Sequence, residues 1–267
     1  MTGGYFMKRV LAILILVSMA GSSQAGMVYD FKSLTEGKGG TELSGRAAIE
    51  GKNVRLEITR GDGLVFKNDS VVLSSDSGAS FKILDPAKKT YYPFSVDELL
   101  GSLGNVVKSL GGMFQMDIEN QKVNLTDGGA GPKIEGYPTR KYVMTSNYDM
   151  HMKIMGMKSS TKVKSRTEAW TTDQIGVEFM TFVQKKNLST GIEDLDKLLK
   201  AQATGIKGFP LKQVTTMTNT AANGKSTTNV TTMTITGIRK ESLPATRFTI
   251  PTGYKEIDAP TLLPQAR

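Results

Sequence analysis

From Leu43 onward most of the chain alternates apolar and polar residues in short runs, each ending in turn-forming residues. A two-residue period matches a strand with one face buried and the other solvated, so long stretches of this sequence can fold only as antiparallel sheet. Leu43 to Ile49 and Val54 to Ile58 flank Glu50-Gly51-Lys52-Asn53, which reads as a hairpin. Val71 to Leu73, Phe81 to Leu84 and Thr90 to Phe94 continue the meander, with a turn at Asp85-Pro86. Further strands are expected at Phe114 to Leu125, Lys141 to Ile154, Thr161 to Thr171, Leu211 to Thr220 and Thr227 to Ile238. Asn223-Gly224 marks a tight turn between the last two. Ten threonines between Thr215 and Thr236 suit half-exposed strands.

Two segments break the alternation. Ser95-Val96-Asp97-Glu98 has the form of a capping box, and Leu99, Leu100, Leu103, Val106, Val107 and Leu110 then recur at helical steps until Gly111-Gly112. The second segment, about Gln174 to Ala203, reads as two helical pieces split near Leu188 to Gly191. Ile192, Leu195, Leu198 and Leu199 form the apolar stripe of its latter half. The expected fold class is α+β, mostly β: many antiparallel strands forming a sheet, with a few amphipathic helices packed on one face.

The N-terminus reads as an export signal. Lys8 and Arg9 precede an apolar run from Val10 to Val17, and Ser23-Gln24-Ala25 offers a small-x-small cleavage site. The expected organisation is therefore a signal peptide at 1–25, one domain at 26–258 and a C-terminal tail at 259–267. The run is shorter than the roughly 20 residues a membrane span needs, and no later stretch approaches that length. The chain has no cysteine, which removes disulfides, thiolates and the attachment point of a lipoprotein anchor. A periplasmic or secreted location follows as the expectation. The formal charge is +9, falling to +7 once Lys8 and Arg9 leave with the leader. This balance favours an anionic partner, a phospholipid membrane surface or an acidic polymer, while a scaffold role would make another envelope protein the partner. Nucleic acid is set aside, because the basic residues lack interleaved aromatics for base stacking.

Chemistry concentrates in NYDMHMKIMGMK, Asn147 to Lys158, with four methionines and the single histidine. Along one strand Tyr142, Met144, Tyr148, Met150, Met152 and Ile154 share a face, and Thr145, Asn147, Asp149, His151 and Lys153 share the other. Beyond Gly156, Met157, Thr161, Val163, Thr167 and Ala169 continue the apolar face, while Lys158, Lys162, Lys164, Arg166 and Glu168 continue the ionic one. Thioethers suit Cu(I), yet the only histidine points away from Met150 and Met152, and there is no cysteine to complete a ligand set. Flexible methionines equally suit a wall for acyl chains or the filling of a closed core. A hydrolytic triad would have to use His151 with Asp149, and Gly-x-Ser-x-Gly is absent. The expectation is a non-enzymatic chain with no catalytic residue, no metal and no cofactor.

Several short segments carry a family resemblance. These are Ile134-Glu135-Gly136-Tyr137-Pro138-Thr139-Arg140-Lys141-Tyr142, Trp170-Thr171-Thr172-Asp173, Gly208-Phe209-Pro210-Leu211, Leu243-Pro244-Ala245 and Phe248-x-Ile250-Pro251-x-Gly253-Tyr254. Together they resemble an uncharacterised family of exported domains similar in fold to the LolA and LolB lipoprotein carriers. The resemblance implies a strongly curved antiparallel sheet, a half-barrel, with a few amphipathic helices covering its concave face over an apolar cavity, and a ligand that is a lipid or acylated protein. The matching motifs mark turns, so no binding residue carries across. Candidate cavity residues come from the chain's own pattern: Tyr148, Met150 and Met152 on the sheet, and Leu99, Leu103, Val106 and Leu110 on the first helix, which its glycines would make a movable lid. The alternative is an envelope scaffold whose concave face is filled by its own helices, and a methionine-rich copper protein ranks below both.

Overall fold

The computed structural model describes residues 26–37, 39–61, 66–78, 80–95, 98, 114–154, 156–175, 190–203 and 205–259. Residues 1–25, expected as a leader, residues 260–267 of the expected tail, residues 176–189 of the helical piece expected after Gln174, and the Val96 to Leu110 segment, save Glu98, lie outside the described residues. With that segment go the candidates Leu99, Leu103, Val106 and Leu110. At its start the Glu98 amide donates to Ser95 Oγ at 3.4 Å, which is one half of the expected capping box.

Twelve strands form one large curved sheet. They are β1 (Met27–Glu36), β2 (Thr41–Glu50), β3 (Asn53–Gly61), β4 (Val71–Ser74), β5 (Phe81–Asp85), β6 (Thr90–Phe94), β7 (Phe114–Ile134), β8 (Tyr137–Ile154), β9 (Met157–Thr172), β10 (Phe209–Ala221), β11 (Ser226–Lys240) and β12 (Lys255–Glu256). The order is β12-β6-β5-β4-β3-β2-β1-β11-β10-β9-β8-β7, so the sheet stays open with β12 and β7 at its edges. All pairings are antiparallel except β12 with β6. One α-helix, α1 (Glu193–Ala203), is described, and it carries the expected stripe of Leu195, Leu198 and Leu199. No described helix is long and apolar enough to cross a membrane.

The expected strands are present, with two differences. β1, between β2 and β11 at the middle of the sheet, and the two-residue edge strand β12 are not among the expected strands. β7 runs on to Ile134, nine residues past its expected end at Leu125. The Gly-rich stretch stays paired because register shifts at Asp127/Ala130 and Gly131/Ile134 absorb the irregular residues as bulges. The motif at Tyr137 is the turn that follows: Glu135 (φ 53°) and Gly136 (φ 80°) both adopt the left-handed backbone of a two-residue hairpin turn closing Ile134 on Tyr137.

Cross-strand partners share a face, so register sorts the core. On the inner face, Tyr29, Phe31, Ala47, Ile49, Leu56, Phe209, Leu211, Met233 and Ile235 belong to the main buried cluster. The outer face of β1 and β2 buries Val28 and Ala48 under Leu243 and Phe248, and that of β4 and β5 buries Val71, Leu73 and Leu84 near Ile250 and Tyr254. The C-terminal segment thus covers the outer face, and α1 covers part of the inner one. Curvature is helped by a bulge between Ser44 and Gly45, where the ring of Phe31 lies over Gly45.

Candidate functional site

β7, β8, β9 and β10 bring a second apolar cluster to the inner face, away from the main one: Ile118, Tyr148, Met150 and Val163, with Met152, Val123 and Met217 at its margin. Register explains the grouping, since Ile118 stands opposite Met150, Met116 opposite Met152, and Tyr148 opposite Val163. Met150 is 8% exposed and Met152 partly buried, as their strand face requires. Met157, expected on the same face, is 71% exposed, because its pair with Ile154 lies at the hairpin tip.

α1 lies over this cluster and contributes Leu195 and Leu198, with Ile192 and Leu199 beside them. Its first turn carries Glu193, Asp194 and Asp196, which suit the positive end of a helix dipole, and Lys197 pairs with Glu193 at 2.7 Å. Ahead of the helix, the Thr190 hydroxyl donates to Asp196 Oδ1 at 2.7 Å and accepts from the Ile192 amide at 3.2 Å. Polar contacts hold both ends to the sheet. Gln121 Nε2 donates to the Asp194 carbonyl at 3.1 Å, and Gln202 Nε2 donates to Ser146 Oγ at 3.2 Å. Eleven residues are too few for a stable helix in isolation, so α1 owes its order to its leucines. Leu198, 3% exposed, is the most buried of them. Leu198→Ala should raise amide exchange across 193–203 by more than about tenfold, given the 2 to 5 kcal/mol typical of such truncations, while the β8 ladder stays protected. Equal loosening of β8 would show that helix and sheet open as one unit.

Burial pushes the Tyr148 phenol up to about 12. A tyrosine whose folded pKa lies above its unfolded value near 10 binds its proton more tightly when folded. Its stability contribution is therefore full below about pH 10 and is lost as pH rises towards 12. Tyr148→Phe should flatten that alkaline decline in chemical-denaturation midpoints, though not abolish it, because burial also raises Tyr29 and Tyr92. An unchanged pH profile would contradict the buried placement of this phenol.

The outer face of the same strands is ionic. His151, with its side chain 43% exposed, meets Ser160 Oγ through Nδ1, and its Nε2 lies 3.8 Å from Glu119 Oε2. The neighbour expected to orient it, Asp149, instead accepts from Asn120 Nδ2 at 2.7 Å. His151 and the methionines Met150 and Met152 are thus on opposite faces of β8. Among the described residues no group of three or more His, Cys, Asp or Glu side chains is placed to hold a metal ion. Lys162, Lys164 and Arg166 stand exposed along β9, and Trp170 lies between Lys141 and Lys212, whose Nζ atoms are 5.0 and 5.4 Å from the ring centroid.

Between the two inner-face clusters runs a polar band. Thr41, Thr35, Thr231, Thr215 and Thr167 are successive cross-strand partners from β2 to β9. Thr35 and Thr231 share a hydrogen bond of 2.9 Å, and Thr167 and Thr215 one of 3.0 Å. Beside the band stands Asn229, 5% exposed and opposite Met217, with no hydrogen-bond partner among the described residues for either side-chain amide atom. Sequence reading missed this band and Asn229, because a threonine-rich run in an alternating strand looks the same whether its odd or even residues face inward. The apolar members Ile118 and Met217 were missed too, since they join the site only through cross-strand register.

No curated protein matches the chain. A crystal structure of a LolA superfamily protein from Nitrosomonas europaea is similar over 90% of this chain and 97% of that one, at 10% identity and a TM-score of 0.32. A family model covers residues 34–254, a span that holds the whole inner face from Thr35 to the end of β11. The chain therefore belongs to the family described as a domain of unknown function, DUF4412.

Proposed function

We propose that this is an exported, non-enzymatic protein of the cell envelope that binds or carries an apolar ligand, either a lipid or the acyl chain of an acylated protein, on the inner face of its sheet. One observation carries the reading: the Tyr148, Met150 and Met152 patch is covered, among the described residues, by a single short helix that cannot hold itself together without that contact. Methionine side chains adapt to variable apolar shapes, and leucines withdrawn from them can be replaced by a ligand's methylenes. The exposed cations of β9 support a periplasmic setting at an anionic membrane surface, to which Lys162, Lys164 and Arg166 would be drawn.

A second reading has its own support. Leu195 and Leu198 already bury themselves on the patch, as in a scaffold whose face is filled from within and whose partner is another envelope protein. Native mass spectrometry of protein made without detergent separates the two. Extra mass that releases as lipid on activation is the expected result. A ligand-free chain that also fails to bind a fluorescent fatty acid leaves the scaffold.

A further inference from the structure

We infer that the polar band of the inner face is the subsite for an uncharged carbonyl-bearing head, the ester or amide that joins an acyl chain to its carrier group, and that Asn229 reads it. This rests on the apolar-ligand reading above and names the class of ligand. Asn229 presents two donor hydrogens and an acceptor oxygen, all shielded from solvent and without partners among the described residues. Such unmet groups are rare in folded chains, because a buried donor or acceptor with no partner is costly. The residue beside the amide oxygen, just past β1, offers no side chain as a partner: a Cβ at Gly37 would stand 2.7 Å from Asn229 Oδ1, and that position, at φ 109°, is held by glycine. The amide oxygen of Asn229 thus lies against bare backbone.

The surroundings decide the chemistry of the ligand. Thr35, Thr231, Thr215 and Thr167 offer hydroxyls, and none of these rows places a charged side chain on the inner face between β1 and β9. An ionised carboxylate or phosphate brought here would lose its hydration with no counter-charge, whereas an ester or amide carbonyl needs only the hydrogen bonds available. Met217, the cross-strand partner of Asn229, belongs to the cluster under α1. An acyl chain leaving the carbonyl at Asn229 therefore passes over Met217 towards Tyr148 and Met150. The same linkage occurs in a neutral glycerolipid and in an acylated peptide.

The test is displacement of a bound fluorescent fatty acid from the detergent-free protein by three probes: monoolein, an N-palmitoyl peptide amide and oleate at pH 8. Monoolein or the palmitoyl peptide should displace it about tenfold better than oleate, the size of effect that two added hydrogen bonds produce, and which of the two wins identifies the source. Asn229→Leu should erase that preference while leaving the melting temperature of the free protein equal or higher, since it removes unmet polar groups. Asn229→Thr, which suits the strand and keeps one hydroxyl, should retain part of it. A preference for oleate, or discrimination unchanged in both variants, overturns the assignment and leaves Asn229 as a site for a structural water only. If neither the fluorescent fatty acid nor monoolein binds wild type, the apolar-ligand reading has itself failed, and the subsite falls with it.

Discussion

Met152→Asp is expected to weaken fatty-acid binding by more than about tenfold, while His151→Ala, one residue away, changes it less than about twofold. The contrast follows from strand geometry. Met152 stands opposite Met116 at the edge of the cluster under α1, and His151 stands opposite Asp117 on the solvated face. A carboxylate placed among Met150, Ile118 and the α1 leucines would have no partner for its charge, and leaving a buried charge unpaired costs several kcal/mol. Because Met152 is only partly buried, the acid can turn towards solvent, which makes it a safer probe than Met150→Asp. Circular dichroism and the denaturation midpoint serve as controls. Comparable losses from both substitutions would show that binding does not distinguish the faces of β8, and the site would have to move elsewhere.

The second large effect is structural. Gly45→Ala should destabilise the chain by about 3 kcal/mol or more, at the upper end of what single substitutions do. A Cβ at Gly45 would stand 2.1 Å from the Glu57 carbonyl oxygen and 2.9 Å from Phe31 Cζ. Phe31 can turn only at the expense of the main inner-face cluster, and Glu57 is held in the β2–β3 ladder opposite Arg46. Neither neighbour yields cheaply in a close-packed interior. Gly51, in the nearby hairpin turn, meets nothing within 4 Å but has φ 55°. Gly51→Ala should therefore cost only about 1 to 2 kcal/mol, from backbone strain alone. Equal losses at the two positions would mean that the bulge relaxes to accept a side chain.

How much was legible without coordinates depends on the range of the interaction. Alternation placed β2 to β6 and β8 to β11, and the glycines at 51 and 224 marked hairpin turns, because side-chain period and left-handed backbone are local properties. The opposition of Met150 and His151 was equally local, since successive residues of a strand point to opposite faces. The stripe of α1 was readable from its three- and four-residue steps. β1 escaped notice although its alternation is as good as that of β2. The bulged end of β7 was hidden because Gly128 to Gly131 looks like a loop until a partner strand pairs with it.

The sequence by itself therefore determined β2 to β6 and β8 to β11, the turns at Gly51 and Gly224 and the two-faced character of the β8–β9 hairpin, all consequences of residue-to-residue geometry over a few positions. Tertiary structure alone decided which residues meet. Thr35 and Thr231 are 196 positions apart and share a hydrogen bond, Met217 reaches the Tyr148 cluster across β9, and Asn229 is left buried beside Gly37 with its amide unmet. Such contacts depend on strand order and register, where a shift of one residue would turn every one of these side chains to the other face.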